Sequence, residues 1–251
     1  TLFSPHEVPE LYEAWGTDSF DELYEKAERK LSVSKTKINA QELFFDILKE
    51  RAETGRIYIM NIDHCNTHSS FKDKVTMSNL CQEITLPTTP IQHIDGEGEI
   101  ALCILSAINV GKINKRDELQ PLCDLAVRAL DEIIDHQKYP IDAAEKSTKA
   151  RRSLGIGYIG LAHYLAKKGY KYDQKLAWRQ VDKLTEAFQF YLLKASNDVA
   201  KEKGPCSAFK STKYADGIMP IDTYKKDVDE LVKRELTYDW EWLRKEIKEH
   251  G

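Results

Sequence analysis

The chain has 251 residues, enough for one large domain or two small ones, and its 41% hydrophobic and 31% charged content is that of a soluble, folded protein. A net charge of −4 gives no global basic field, so nucleic acid is a poor first candidate as partner. No apolar run approaches the ~18 to 20 residues needed to cross a bilayer, and five widely spaced cysteines without a Cys-x-x-Cys pair point to a reducing, intracellular setting.

The opening residues, Thr1-Leu2-Phe3-Ser4-Pro5-His6, read as neither a signal peptide nor an initiator segment, but as the middle of something longer. Ser19-Phe20-Asp21-Glu22 has the form of a capping box and predicts a helix. Asn39-Ala40-Gln41-Glu42 starts a second, with Leu43, Ile47 and Leu48 as its apolar stripe and Gly55 as its left-handed stop. From Arg56 to Ile62 the run is rich in strand formers and flanked by turn residues, which predicts a strand. His64 to Ser78 reads as polar and irregular.

Two further strands are expected, at Leu80–Leu86 and Glu99–Val110. A loop from Pro87-Thr88-Thr89-Pro90 to Gly96-Glu97-Gly98 separates them, and Gly111 closes the second. In the second strand Ile100, Leu102, Ile104 and Ser106 share one face, with Ala101, Cys103, Leu105 and Ala107 on the other. Both faces are mostly apolar, so burial on both sides is expected, as in a barrel or covered sheet. Small Ala101 and Ala107 leave room for something to approach Cys103.

Helices follow at Asp117–Gln137 (Leu119, Leu122, Leu125, Ala126, Leu130 and Ile133 at helical spacing), Tyr158–Lys168, Asp173–Lys203 and Asp239–His250. Gly155-Ile156-Gly157 is read as a turn between helices. With no internal repeat or clear linker, the economical reading is one α/β unit rich in helix.

The most informative segment is Ser78-Asn79-Leu80-Cys81-Gln82-Glu83-Ile84. In an extended chain Asn79, Cys81 and Glu83 share a face. An amide, a thiol and a carboxylate together suit work on a hydroxylated substrate, by hydrogen bonding, hydrogen-atom or proton transfer and acid/base chemistry. The bland reading is a buried, inert cysteine beside two surface polar groups, and Cys103 in an apolar strand invites the same reading.

Other motifs carry less. Asp63-His64-Cys65-Asn66-Thr67-His68 offers three strong zinc ligands at no standard spacing, and a hydrogen-bonded loop is the simpler reading. Gly155-Ile156-Gly157-Tyr158-Ile159-Gly160 satisfies Gly-x-Gly-x-x-Gly, but Arg-Arg-Ser-Leu before it makes a poor buried strand, so a close-packed helix entry is expected rather than a dinucleotide site. The basic run Lys146–Arg152 reads as a solvated face, with a phosphate contact as the sharper alternative. Cys123 on an amphipathic helix and Cys206 in a Gly-Pro-Cys loop read as inert.

Taken together, Ser78–Ile84 followed by Glu99-Ile100-Ala101-Leu102-Cys103 resembles the catalytic core of class I (aerobic) ribonucleotide reductase large subunits. The flanks resemble it too: Leu2–His6, Thr54-Gly55-Arg56-Ile57-Tyr58, Asp63–His68, Arg151-Arg152-Ser153-Leu154-Gly155-Ile156-Gly157, Tyr191-Leu192-Leu193-Lys194-Ala195-Ser196 and Pro220-Ile221-Asp222-Thr223-Tyr224. The likeness spans essentially the whole chain and is nearest to the bacterial and phage type.

What the resemblance implies is specific. Cys81 resembles the cysteine that becomes a thiyl radical and takes the ribose 3′ hydrogen. Glu83 resembles the carboxylate that handles the 3′-hydroxyl proton, and Asn79 the amide that holds the ribose hydroxyls and the loop. Cys103 resembles one of two cysteines that reduce the substrate and finish as a redox-active disulfide; its partner has no counterpart here.

The implied fold is a ten-stranded α/β barrel with the radical cysteine on a central finger loop, and residues 1–251 would be its central part. The nucleotide-sensing domain that precedes it in the family, and the phosphate-binding segment, tyrosine pair and cysteine tail that follow, have no counterpart. The implied activity is reduction of ribonucleoside diphosphates to deoxyribonucleoside diphosphates for DNA precursors. Implied too are a radical from a separate metal-containing small subunit, electrons from thioredoxin or glutaredoxin, allosteric ATP and dNTP effectors, a homodimeric parent, and a cytoplasmic location (the host's, if phage-encoded). No metal is expected on this chain, and neither nucleic acid nor membrane as partner. Two alternatives remain: another radical enzyme on the same barrel, and a non-catalytic assembly module completed by other chains.

Overall fold

A computed structural model describes residues 1–93, 97–224, 227 and 235–251, and the chain divides into two compact units. The first comprises residues 1–67 and 75–85, the second residues 68–74 and 86–251.

In the first unit strands β1 (Leu2–Phe3) and β2 (Lys35–Thr36) pair antiparallel. They bracket helices α1 (Pro9–Glu13) and α2 (Phe20–Arg29) around a small core of Val8, Leu11, Ala27 and Val33. The capping box predicted at Ser19 does not form. Ser19 already has helical backbone angles, and its hydroxyl meets Thr17 Oγ1 at 2.9 Å instead of an amide of α2.

Helix α3 (Ala40–Thr54) starts and stops as its chemistry dictates. Asn39 Oδ1 accepts from Gln41 N at 2.9 Å and Glu42 N at 3.3 Å, and Gly55 closes the helix at φ 64°. Its apolar stripe, however, is not buried within the unit; Leu43, Phe44, Phe45 and Leu48 are all exposed. The strand expected at Arg56–Ile62 is absent. No neighbouring strand supplies ladder partners there among the described residues, Tyr58 and Ile59 are exposed, and the chain passes straight into helix α4 (Ile62–His68). That helix replaces the start of the irregular stretch predicted from His64.

The second unit opens on a hairpin, β3 (Thr89–His93) with β4 (Glu97–Glu99), where a loop was expected. Gly96 of that predicted loop lies outside the described residues. Strand β5 (Ile104–Asn109) pairs in parallel with β6 (Leu154–Ile159), in register from Ile104↔Leu154 to Asn109↔Ile159. The strand predicted for Glu99–Val110 is therefore split, because Ile100 N donates to Ala143 O at 3.1 Å and takes Ile100–Cys103 out of the ladder.

Helix α5 (Leu119–His136) covers one face of β5 and β6. Ile104 and Ile108 sink into it against Leu119, Cys123, Leu130 and Ile134. Leu105, 60% exposed, and Ala107 lie on the uncovered face, so the expected two-sided burial is corrected to burial of one face. The stripe of α5 is also rotated. Cys123, Val127 and Ile134 are buried, whereas Leu122, Leu125 and Ile133 are exposed.

Helix α6 (Asp142–Arg151) was not foreseen, and it carries the basic run. Arg151 is nearly buried against Glu99 at 2.9 Å, and Arg152, left-handed at φ 47°, joins Asp131 at 2.6 Å and Asp135 at 2.8 Å. Its two arginines are thus tied to carboxylates, while Lys146 and Lys149 stay exposed as the solvated face expected of the run. Gly155 and Gly157 lie inside β6, not in a turn. Gly160 at φ 78° ends the strand and starts helix α7 (Leu161–Lys167).

The long helix α8 (Lys175–Lys203) packs along α5 through Leu184, Ala187 and Phe188. After helix α9 (Pro220–Thr223), helix α10 (Trp240–His250) lays Trp240, Leu243 and Ile247 against Phe190 of α8. Buried Glu186 fixes the entry to α10, accepting from Thr237 N at 2.7 Å and Trp240 Nε1 at 3.2 Å. Among the described residues the sheets are two-stranded, and no helix is long and apolar enough to cross a membrane.

Candidate active site

Cys81 sits at the apex of a tight turn, not in a strand. Gln82 N donates to Asn79 O at 3.1 Å, and Gln82 adopts φ 59°, a left-handed conformation rare outside glycine. A strand from Leu80 to Leu86 would need a neighbouring backbone. Here side chains play that part instead. Asn79 Oδ1 accepts Ile84 N at 3.0 Å, and the Ser78 hydroxyl donates to Ile84 O at 2.7 Å. Both backbone polar groups of Ile84 are thereby satisfied by two successive side chains.

The base of the loop is held the same way. Asn66 of α4 accepts from Val75 N at 2.8 Å and donates to Val75 O at 2.9 Å, and the Val75 side chain is fully buried. The motif that suggested zinc ligands thus supplies a backbone clamp through its asparagine.

The common face expected for Asn79, Cys81 and Glu83 is corrected accordingly. Asn79 turns its oxygen inward to Ile84, while Cys81 and Glu83 are exposed on the loop. With Oδ1 engaged, the amide NH₂ is the end of Asn79 that can be offered to a ligand. Exposure keeps the Cys81 thiol accessible for hydrogen-atom transfer, and two residues on a carboxylate is available to take a proton. Reading the sequence missed Ser78, Gln82 and Asn66 as builders of this turn. The signal was the Ser-Asn pair before the cysteine, since both side chains compete well for backbone groups.

Cys103 belongs to the second unit, half-buried at the threshold of β5. A Cβ placed on Gly155 would come within 3.2 Å of Cys103 Sγ and 2.5 Å of Leu105 Cδ2, so a side chain there would push on the Leu105 and Cys103 side chains, while the backbone of the neighbouring strand lies at ordinary contact distance. None of the five cysteines is in a disulfide. Cys123 is fully buried, and burial pushes its thiol up to about 12; burial also raises Cys206.

A family model described as ribonucleotide reductase, barrel domain, matches residues 1–251. The chain belongs to the ribonucleotide reductase family. Its similarity to curated ribonucleoside-diphosphate reductase alpha subunits runs through its whole length. Identity is 56% with the subunit of Haemophilus influenzae, 54% with the alpha subunit of ribonucleoside-diphosphate reductase 1 of Escherichia coli K12, and 40% with that of enterobacteria phage T4. The chain spans about a third of these relatives, 34% of each. In a ribonucleotide reductase barrel domain, the pinned turn carrying an exposed cysteine is the feature on which chemistry can be placed.

Proposed function

We propose that this chain is the central, substrate-reducing part of a ribonucleoside-diphosphate reductase alpha subunit, converting ribonucleoside diphosphates to deoxyribonucleoside diphosphates. The observation that carries the reading is the Cys81 turn: an exposed thiol at the apex of a loop pinned at both ends, flanked by an oriented amide and a carboxylate. Names of relatives matched across the entire chain support it.

In this account the Cys81 thiyl radical takes the hydrogen atom from ribose C3′, forming S–H and a carbon radical. Glu83 receives the 3′-hydroxyl proton, and Asn79 donates its amide N–H to a ribose oxygen. The 2′-hydroxyl then leaves as water with a proton from the thiol pair, and Cys103 and a second cysteine outside this chain supply the two electrons and the hydrogen that replaces it at C2′, closing to a disulfide. Cys81 returns its hydrogen at the end, so the radical is regenerated rather than consumed.

The radical originates in a separate metal-containing small subunit, and a thioredoxin- or glutaredoxin-like protein reopens the disulfide. Residues 1–251 form part of a ten-stranded α/β barrel whose finger loop is the Cys81 turn, in a homodimeric, nucleotide-regulated, cytoplasmic enzyme. The test is a full-length chimera in which residues 1–251 replace the matching region of the Haemophilus influenzae relative. Supplied with that relative's small subunit, effector and dithiol, it forms deoxynucleotide; a well-folded chimera without turnover would contradict the reading.

A further inference from the structure

The loop that carries Cys81 owes its shape to side chains, and one of them is unaccounted for by the chemistry. Ser78 has a single hydroxyl proton and two acceptors within reach, Ile84 O at 2.7 Å and Asn79 Oδ1 at 3.3 Å. The proton goes to the nearer, stronger acceptor. Asn79 Oδ1, with two lone pairs, accepts Ile84 N at 3.0 Å, which turns the amide NH₂ away from the loop interior. The two bonds close a hairpin whose intervening residues include left-handed Gln82 and exposed Leu80 and Cys81.

Neither bond is replaced by backbone pairing. The main-chain hydrogen bond inside the turn among the described residues is Gln82 N to Asn79 O, on the apex side of the closure. Asn66 holds Val75 at the base, and between Val75 and the apex the Ser78 hydroxyl and Asn79 Oδ1 tie this limb to the two polar groups of Ile84, the Ser78 bond being the shorter.

We propose that Ser78 is a positioning residue for the reaction. Its hydroxyl fixes the returning limb of the loop at Ile84, and through it the orientation of the Asn79 amide and the place of the Cys81 sulfur. This rests on the reading of Cys81 as the hydrogen-abstracting residue. A hydrogen-atom transfer tolerates little displacement of the sulfur, and misplacement by about 1 Å costs on the order of 10²-fold. A loss confined to the transfer step lowers kcat more than it raises KM.

The experiment uses the full-length chimera with its small subunit, effector and dithiol, and compares the parent with Ser78→Ala, Ser78→Thr and Cys81→Ser. The probe is release of 3′-tritium from labelled ribonucleoside diphosphate, with hydrogen exchange of the Ile84 amide as a structural readout. Ser78→Ala is expected to lower kcat for tritium release roughly 10- to 100-fold with KM within about two-fold of the parent. It should also speed exchange at the Ile84 amide. Ser78→Thr, which keeps the hydroxyl, is expected to restore both.

Parent-like release by Ser78→Ala, or equal impairment by Ala and Thr, would overturn the proposal while leaving the Cys81 reading intact. So would loss of protection throughout α8 in the Ala variant, which would make Ser78 a scaffold residue. Failure of the Cys81 reading looks different: release by Cys81→Ser matching the parent, or none from a folded parent.

Discussion

Cys81 and Cys123 stand at opposite ends of the accessibility range among the five thiols, one exposed at a loop apex and the other fully buried between α5 and α8. Iodoacetamide at pH 8 is therefore expected to modify Cys81 first and Cys123 only after unfolding, because burial pushes Cys123 up to about 12 and leaves almost no thiolate. Peptide mapping by mass spectrometry over time checks the order; equal rates at the two sites would contradict this packing. A second residue-scale prediction concerns Gly155→Ala. The added carbon meets Leu105 Cδ2 and Cys103 Sγ, so urea melts should show a loss of about 1 to 3 kcal/mol. An unchanged midpoint would mean that the exposed Leu105 side chain swings aside at no cost. At this scale the segment that forms the turn was legible in the sequence, but not the partner of Asn79. Alternation along a presumed strand cannot show that a side chain has replaced a strand neighbour.

At the scale of elements, α5 and the end of α6 are joined by a carboxylate–guanidinium cluster. Burial would raise Asp131, yet hydrogen bonds from Arg152 and Lys203 outweigh it and hold that carboxyl below its ordinary value of 3.8. The Arg152 hydrogen bond lowers exposed-side Asp135 as well. Depressed folded values make a stabilising contribution that is complete above about pH 4 and lost as pH falls through them. Urea midpoints should therefore be flat from pH 7 to 5 and drop below pH 4. Arg152→Met, which strands Asp131 without its main partner, is expected to cost about 3 kcal/mol at pH 7 and to weaken that acid dependence. A pH profile identical to the parent's would show that the cluster is not what acid disrupts. The longer helices were legible, α3 and α10 by the caps at Asn39 and Asp239 and α5 and α8 by apolar spacing, whereas α4 and α6 were missed. Strands were less so: β5 was legible within Glu99–Val110, but β6 hides behind two glycines and an arginine pair, and Arg56–Ile62 has strand composition and no strand partner among the described residues.

For the whole molecule, the two compact units place the pinned Cys81 turn in one and Cys103 in the other. At 34% of its relatives' length, the chain by itself is expected to give no deoxynucleotide even with small subunit, effector and dithiol present. Robust turnover by the lone chain would show that the partition of roles is wrong. The family was readable from short motifs scattered over the full length. The uncovered face of β5, by contrast, could not be foreseen, because an apolar strand does not disclose how many of its faces a given stretch of chain will cover.

The central claim is that Cys81 carries the radical, and one comparison tests it most directly: 3′-tritium exchange and base release from labelled ribonucleoside diphosphate in the full-length chimera with Cys81→Ser, Cys103→Ser and Glu83→Gln. A serine O–H is much stronger than a thiol S–H, so Cys81→Ser should leave substrate untouched. Cys103→Ser keeps the radical thiol and should start the reaction without completing it, giving base release and inactivation. Glu83→Gln should fall between them, slowed roughly 10²- to 10⁴-fold by loss of the base. The account predicts silence from Cys81→Ser alone among the three; exchange of the 3′ hydrogen by that variant would contradict it.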